Sequence, residues 1–190
     1  MSHDISAEVP GDRSRLVVPA SERDYRQGEL HARVVLVEYG DYQCPDCGKL
    51  YTLIKTIQEQ PDATFLEEIA LSLVFRQFPQ PQIHPQARKA AAAALAAGAQ
   101  GQFWQMHEML FSHQQELGNG YLVEYADCLE LDIPRFLQDI TREVHVERIN
   151  QDIESGRQSG VTVAPALFIN GTRYVDHWNM EQLVTAIVTA

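Results

Sequence analysis

The chain reads as an α/β fold: a strand–helix–strand unit, a helical block, then two strands and a closing helix. Three observations carry this reading. Two apolar runs suited to buried strands, Val34-Val35-Leu36-Val37 and Leu71-Ser72-Leu73-Val74-Phe75, bracket a helix-period stretch that begins at Pro45. Residues 86–157 then carry helical periodicity with no strand run among them. The tail returns to Ala166-Leu167-Phe168-Ile169 followed by Asn170-Gly171, the strongest short hairpin signal.

Taken in order, residues 1–30 are polar, and Pro10-Gly11 and Pro19 break any pattern, so they are expected to form an arm with at most a helical turn near 21–27. A single domain is expected over 31–190. Residues 33–39 form its first strand and 45–60 its first helix, with Cys47, Leu50, Ile54 and Ile57 on one stripe facing the core. After the strand at 71–75, Pro79, Pro81 and Pro85 mark a loop. Helices are expected over 86–97, 103–111, 121–131, 134–140 and 145–157, so that a helical insertion occupies about 84–158. The alanine run at 90–94 points to close helix packing, and Gly98 is the expected stop. Residues 172–175 make the returning strand and 180–188 the closing helix.

The 190 residues are 45% apolar, enough for one well-buried domain. A net charge of −11 with no Lys/Arg cluster argues against nucleic acid as a partner. No run of about 18 apolar residues is present, so no membrane span is expected. The first eight residues lack the apolar core of a secretion signal, which makes a cytoplasmic location the expectation. Three cysteines, two of them in one motif, do not make a disulfide scaffold.

That motif is Cys44-Pro45-Asp46-Cys47, set where the first strand gives way to the first helix. With Cys44 at N-cap, Pro45 takes N1, where its missing N–H costs nothing. The Cys44 sulfur then stands where a capping acceptor belongs, and it accepts better as a thiolate. The helix dipole favours the same charge by ~0.3–1 kcal/mol, and a depressed pKa makes a thiol reactive near neutral pH. Cys47, on the core stripe, is the sheltered partner, whereas Cys44 at the helix tip is expected to face solvent. The spacing also serves two buried structural cysteines or a zinc site. Zinc needs four ligands and the chain has no second C-x-x-C, so neither a metal nor another cofactor is expected.

Four blocks in order resemble the DsbA-like branch of the thioredoxin superfamily over residues 32–190. They are Glu38-Tyr39-Gly40-Asp41-Tyr42-Gln43 with the cysteine motif, Phe75-Arg76-Gln77-Phe78-Pro79 with His84-Pro85, residues 97–104, and Gly160 through Gly171. The resemblance implies a thioredoxin fold, βαβ then ββα around a central mixed sheet, with a helical insertion. It implies a thiol–disulfide oxidoreductase in which Cys44 attacks a protein or peptide disulfide, Cys47 resolves it, and a redox partner resets the pair. It also implies that Pro165 is cis and packs beside the cysteines. The backbone of Ala164 would then be free to pair with an extended substrate. The alternative is a non-catalytic thioredoxin-fold module that binds a partner or senses redox state.

Two residues depart from the family pattern. Ala164 stands where relatives often carry Thr. Asp46 stands where oxidising relatives carry His, and a carboxylate beside Cys44 opposes its thiolate, so dipole and carboxylate are expected to nearly cancel. A pair less oxidising than DsbA, whose potential is about −120 mV, is expected. Glu38, six residues before Cys44, is either a buried proton acceptor for Cys47 or a solvent-facing strand residue. His84 either caps the alanine-rich helix or lies near the site. Phe103, Trp104, Met106, His107 and Leu110 read as a core stripe, with the lining of a substrate groove as the alternative, and Cys128 as a small core residue, with a regulatory thiol or intermolecular bridge as the alternative.

Overall fold

The computed structural model describes residues 15–59 and 70–190. Its five-stranded mixed sheet has the order β1-β3-β2-β4-β5. The strands are β1 (Tyr25–Gln27), β2 (Val34–Gly40), β3 (Leu71–Gln77), β4 (Ala166–Ile169) and β5 (Thr172–Arg173). β2 runs parallel to β3 and antiparallel to β4, as a strand–helix–strand unit followed by a hairpin requires. Seven helices are described: α1 (Pro45–Glu59), α2 (Ala87–Gly98), α3 (Phe103–Ser112), α4 (Asn119–Cys128), α5 (Ile133–Thr141), α6 (Val146–Gln158) and α7 (Met180–Thr189). This is the thioredoxin fold, with α2 to α6 between β3 and β4.

The period of two along β2 divides its side chains between two apolar clusters. Val34 and Leu36 join Leu50, Ile54 and Ile57 of α1 and Leu183 and Ile187 of α7. Val37 and Tyr39 join the helices of the insertion. Because β2 is the central strand, both faces are covered and its residues read as a nearly unbroken apolar run. Ala87, Ala90, Ala91, Ala93, Ala94, Ala96 and Ala97 are all buried, so the alanine run does mark close helix packing.

The structure differs from the sequence expectation in three places. Part of the expected arm, residues 1–14, lies outside the described residues, but 15–30 are held to the sheet, starting with a bridge from Arg15 to Thr172. Tyr25–Gln27 is an edge strand antiparallel to β3 rather than a helical turn. The segment before it is tied down by buried Arg76, which pairs with Asp24 at 3.0 Å and donates to the carbonyls of Val18 and Pro19. Gly98 is present for space rather than backbone freedom: a Cβ there would lie 2.5 Å from the Tyr25 ring, while Gly101, at φ 82°, takes the left-handed turn. The returning strand ends at Arg173, because Tyr174 turns into the α1–α7 core. Asn170 (φ 48°) and Gly171 (φ 77°) make the expected tight turn.

Candidate active site

At the end of β2 the chain turns through Asp41–Gln43 into α1, and the turn is built by one carboxylate. Asp41 Oδ1 accepts the Gln43 N–H at 2.8 Å, closing an Asx turn. Its Oδ2 accepts from the Gln80 N–H at 2.9 Å and bonds His84 Nδ1 at 2.8 Å, fastening the loop after β3 to the same point. Gln114, at the end of α3, reaches back and donates to the carbonyls of Tyr42 (2.9 Å) and Cys44 (2.8 Å). Gly48 gives it room, since a Cβ there would lie 2.2 Å from the Gln114 side chain. Thus three separate segments hold the first turn of α1.

Helix α1 begins at Pro45, so Cys44 is at N-cap as the spacing predicts. Both cysteines are free thiols, and Cys47 is fully buried. Cys44 is not the solvent-facing thiol that its place at the helix tip suggests. It is only 6% exposed, because the loop before β4 folds over it, bringing the Ala164 carbonyl oxygen to 3.6 Å from its sulfur. The Ala164–Pro165 bond is cis. Ala164 is not free to pair either: its N–H donates to Gln80 Oε1 at 3.1 Å. Pro45 and Asp46 are exposed on the outer side of the turn.

The two thiols are driven in opposite directions. The Cys47 thiol hydrogen bonds to Cys44, and this is the largest influence on it. Burial opposes that effect, the N–H groups of Cys47 and Asp46 reinforce it, and the Asp41 charge opposes it. The balance holds Cys44 at about 6, below its usual 9.0. Cys47 is pushed well up, first by burial, then by its bond to Cys44, then by the charges of Glu38 and Cys44. The expected near-cancellation by Asp46 therefore does not occur. Its carboxylate points outward to Lys49 Nζ at 2.8 Å, and Asp41 supplies the opposing charge.

Glu38 is buried at 2% exposure on the face of β2 that packs against α1, which excludes the solvent-facing alternative. It has room because the next residue on that face is Gly40, where a Cβ would lie 3.0 Å from Glu38 Oε1. Burial, and then the Cys44 charge, push its carboxyl up to about 8. Oε1 has no hydrogen-bond partner among the described residues. The carboxyl lines the floor of a cavity of about 230 Å³ between α1, α3 and the sheet, with Trp104 and His107 in its wall and Lys55 paired with Glu108 beside it. The α3 stripe is therefore core for Phe103, Met106 and Leu110, but Trp104 and His107 also shape this cavity. Burial drives His107 down to about 3, so it is neutral, and its Nδ1 shares a 3.0 Å hydrogen bond with the Tyr42 hydroxyl.

The structure thus brings the Ala164 carbonyl, ahead of the cis Pro165, to Cys44, sets Glu38 buried at the end of β2 near the pair, and joins His84 through Asp41. Cys128 is not among them. It is exposed at the end of α4, whose inward face is Leu122, Tyr125 and Ala126. Sequence reading missed Asp41, Gln80 and Gln114. An Asp two residues before Gln43 is an Asx-turn signal and could have revealed the first; nothing local marks the two glutamines. Among the described residues, no group of three or more His, Cys, Asp or Glu is placed to hold a metal, and no helix is long and apolar enough to cross a membrane.

A family model described as thioredoxin matches residues 20–188. The chain belongs to the thioredoxin family. Its fold is shared by oxidised BdbD from Bacillus subtilis (18% identical, 90% of this chain and 96% of that one, TM-score 0.77). It is also shared by α-DsbA1 from Wolbachia pipientis (17%, 93% and 94%, TM-score 0.76). A thioredoxin-like oxidoreductase from Silicibacter pomeroyi is a third match (21%, 88% and 91%, TM-score 0.73). Higher identity is found with Na(+)/H(+) antiporter NhaA 3 of Salinispora tropica, 36% over 194 residues, covering 96% of this chain and 29% of that protein. NhaA 1 of Mycolicibacterium vanbaalenii is 36% identical over 170 residues, 87% of this chain and 26% of the relative. The chain spans less than a third of the length of these curated relatives.

Proposed function

We propose that the protein is a thiol–disulfide oxidoreductase acting on protein or peptide disulfides. Cys44 is its nucleophile and Cys47 its resolving thiol. The observation that carries this is the placement of two free thiols one helical turn apart: Cys44 at the start of α1 against the Ala164 carbonyl before a cis proline, and Cys47 fully buried. That arrangement lowers the pKa of the first thiol and raises that of the second. The Cys44 thiolate attacks one sulfur of the substrate disulfide. That S–S bond breaks, a mixed disulfide forms, and the departing substrate thiolate takes up a proton. In the mixed disulfide the Cys44 charge no longer raises Glu38, and the deprotonated fraction of that carboxyl takes the Cys47 proton through water as the Cys47 sulfur attacks Cys44. The Cys44–Cys47 bond forms and the second substrate thiolate leaves. The substrate has gained two electrons, the pair has lost them, and a dithiol donor must reset it. Glu38 suits the proton step because its carboxyl titrates near neutral pH and lines a cavity. Pro165 and Ala164 close the site over Cys44, and Pro45 sets the helix start from which the N–H groups of Asp46 and Cys47 reach the sulfur.

Insulin reduction with dithiothreitol tests the proposal. Cys44→Ser is expected to lose at least ~100-fold over background, and Cys47→Ala to accumulate a mixed disulfide. A Cys44→Ser protein as active as wild type would refute the enzyme reading. A second reading draws on the antiporter names of the 36%-identical relatives: a partner-binding or redox-sensing module attached to a transporter. It predicts a pair that oxidises once and turns over no faster than free thiol.

A further inference from the structure

The Ala164 backbone sits where a substrate must pass, and it is already engaged. Its carbonyl oxygen is 3.6 Å from Cys44 Sγ, so a peptide presenting a disulfide to that sulfur lies alongside Ala164. Main-chain pairing in an antiparallel register exchanges two bonds, one to the carbonyl and one from the N–H. The N–H is held by Gln80 Oε1 at 3.1 Å. The Gln80 backbone is fixed: its N–H goes to Asp41 Oδ2, and its carbonyl accepts from the N–H groups of Ile83 (3.1 Å) and His84 (2.9 Å). Its side chain, by contrast, makes a single hydrogen bond among the described residues, the one to Ala164. An anchored residue thus extends a releasable amide into the position of a substrate carbonyl.

We infer that Gln80 is a specificity-determining residue. Its side-chain amide stands in for substrate backbone at Ala164, so peptide and protein disulfides must displace it while small disulfides need not. The inference rests on Cys44 being the nucleophile. Displacement exchanges one neutral hydrogen bond for another, so peptides remain substrates but bind less tightly than at an open Ala164. Val163, which is 51% exposed beside the site, and Ile83, 65% exposed on the Gln80 loop, offer apolar contact that favours peptides with apolar flanks over charged ones.

The test compares an apolar-flanked peptide disulfide with bis(2-hydroxyethyl) disulfide, using wild type, Gln80→Ala and Gln80→Met. Methionine fills the space of glutamine without its acceptor, which separates the hydrogen bond from packing. Both variants are expected to lower KM for the peptide about fivefold, the worth of one neutral hydrogen bond. The expected kcat stays within about twofold, the signature of a change in uniform binding. Rates with the small disulfide should also stay within about twofold. An unchanged or raised peptide KM in both variants overturns the inference. So does an equal shift for both substrates, which would assign Gln80 to support of the loop. If wild type exchanges neither substrate, the reading of Cys44 fails and this inference falls with it.

Discussion

The site has two approaches to one pair of sulfurs, and they are built on opposite principles. On the outer side, where α1 begins, charge is stabilised: Cys44 receives a thiol and two backbone N–H groups, and its pKa falls to about 6. On the inner side, beneath α1, charge is penalised: buried Glu38 rises to about 8, while buried His107 sinks to about 3 and stays neutral. One side keeps a nucleophile ionised near neutral pH; the other holds a carboxyl whose proton-accepting form grows as pH rises toward about 8. Burial alone would raise both sulfurs. Only the one at the helix tip has enough donors to be lowered, so the asymmetry follows from a single turn of helix.

The largest expected effect comes from disturbing the inner side. Glu38→Gln removes the proton acceptor and should slow mixed-disulfide resolution about 100-fold at neutral pH while leaving the first attack nearly unchanged. The same variant has a stability signature. Folded Glu38 holds its proton to about pH 8, whereas the unfolded chain releases it near the ordinary 4.5. Between these values the unfolded state binds fewer protons, so stability is intact below 4.5 and is lost as pH rises through about 8. Glu38→Gln should therefore be more stable than wild type at pH 8, by about 4 kcal/mol, and equal to it at pH 4. Parallel denaturation curves for the two proteins at pH 8 would break the comparison.

The outer side is probed by the rate of first attack on a small disulfide. With Cys44 ionising at about 6, the thiolate fraction, and hence the rate, should fall about tenfold from pH 7 to pH 5. A fall continuing unchanged from pH 9 downward would mean an ordinary thiol.

The residues that carry charge chemistry were legible in sequence, and those that hold them in place were not. The Cys44–Cys47 spacing, Pro45 at N1 and the apolar stripe of α1 fixed the helix register, because capping and periodicity are local. Pro165 and Ala164 were reached only through resemblance. The cover over Cys44 depends on a loop 120 residues away in sequence, and local rules carry no such distance. For Glu38, alternation along β2 left a solvent-facing residue as one of two alternatives, because its burial comes from α1 packed above that face. Tyr25–Gln27 escaped notice as a strand because three residues at a sheet edge, one aromatic and two polar, have almost no pattern of their own.

Asp46 provides the smallest and most discriminating perturbation. With its carboxylate paired to Lys49 at the surface, Asp46→Asn should move the Cys44 pKa by less than about 0.3 and the potential of the pair by less than about 15 mV. The wild-type potential itself is expected between the thioredoxin and DsbA values of about −270 and −120 mV. A full-unit drop in Cys44 pKa would restore Asp46 as the tuning residue.

The central claim is that one turn of helix sets the two thiols apart. Ultraviolet thiolate absorbance of the reduced protein, followed with pH in wild type, Cys44→Ala and Cys47→Ala, each also carrying Cys128→Ser to remove the third, exposed thiol, tests it most directly. One ionisation near 6 is expected in wild type, absent from Cys44→Ala, in which Cys47 stays protonated beyond pH 9. In Cys47→Ala the midpoint should rise, because the largest donor to the Cys44 sulfur is gone. A wild-type midpoint near 9, or a step near 6 that survives in Cys44→Ala, would contradict the account.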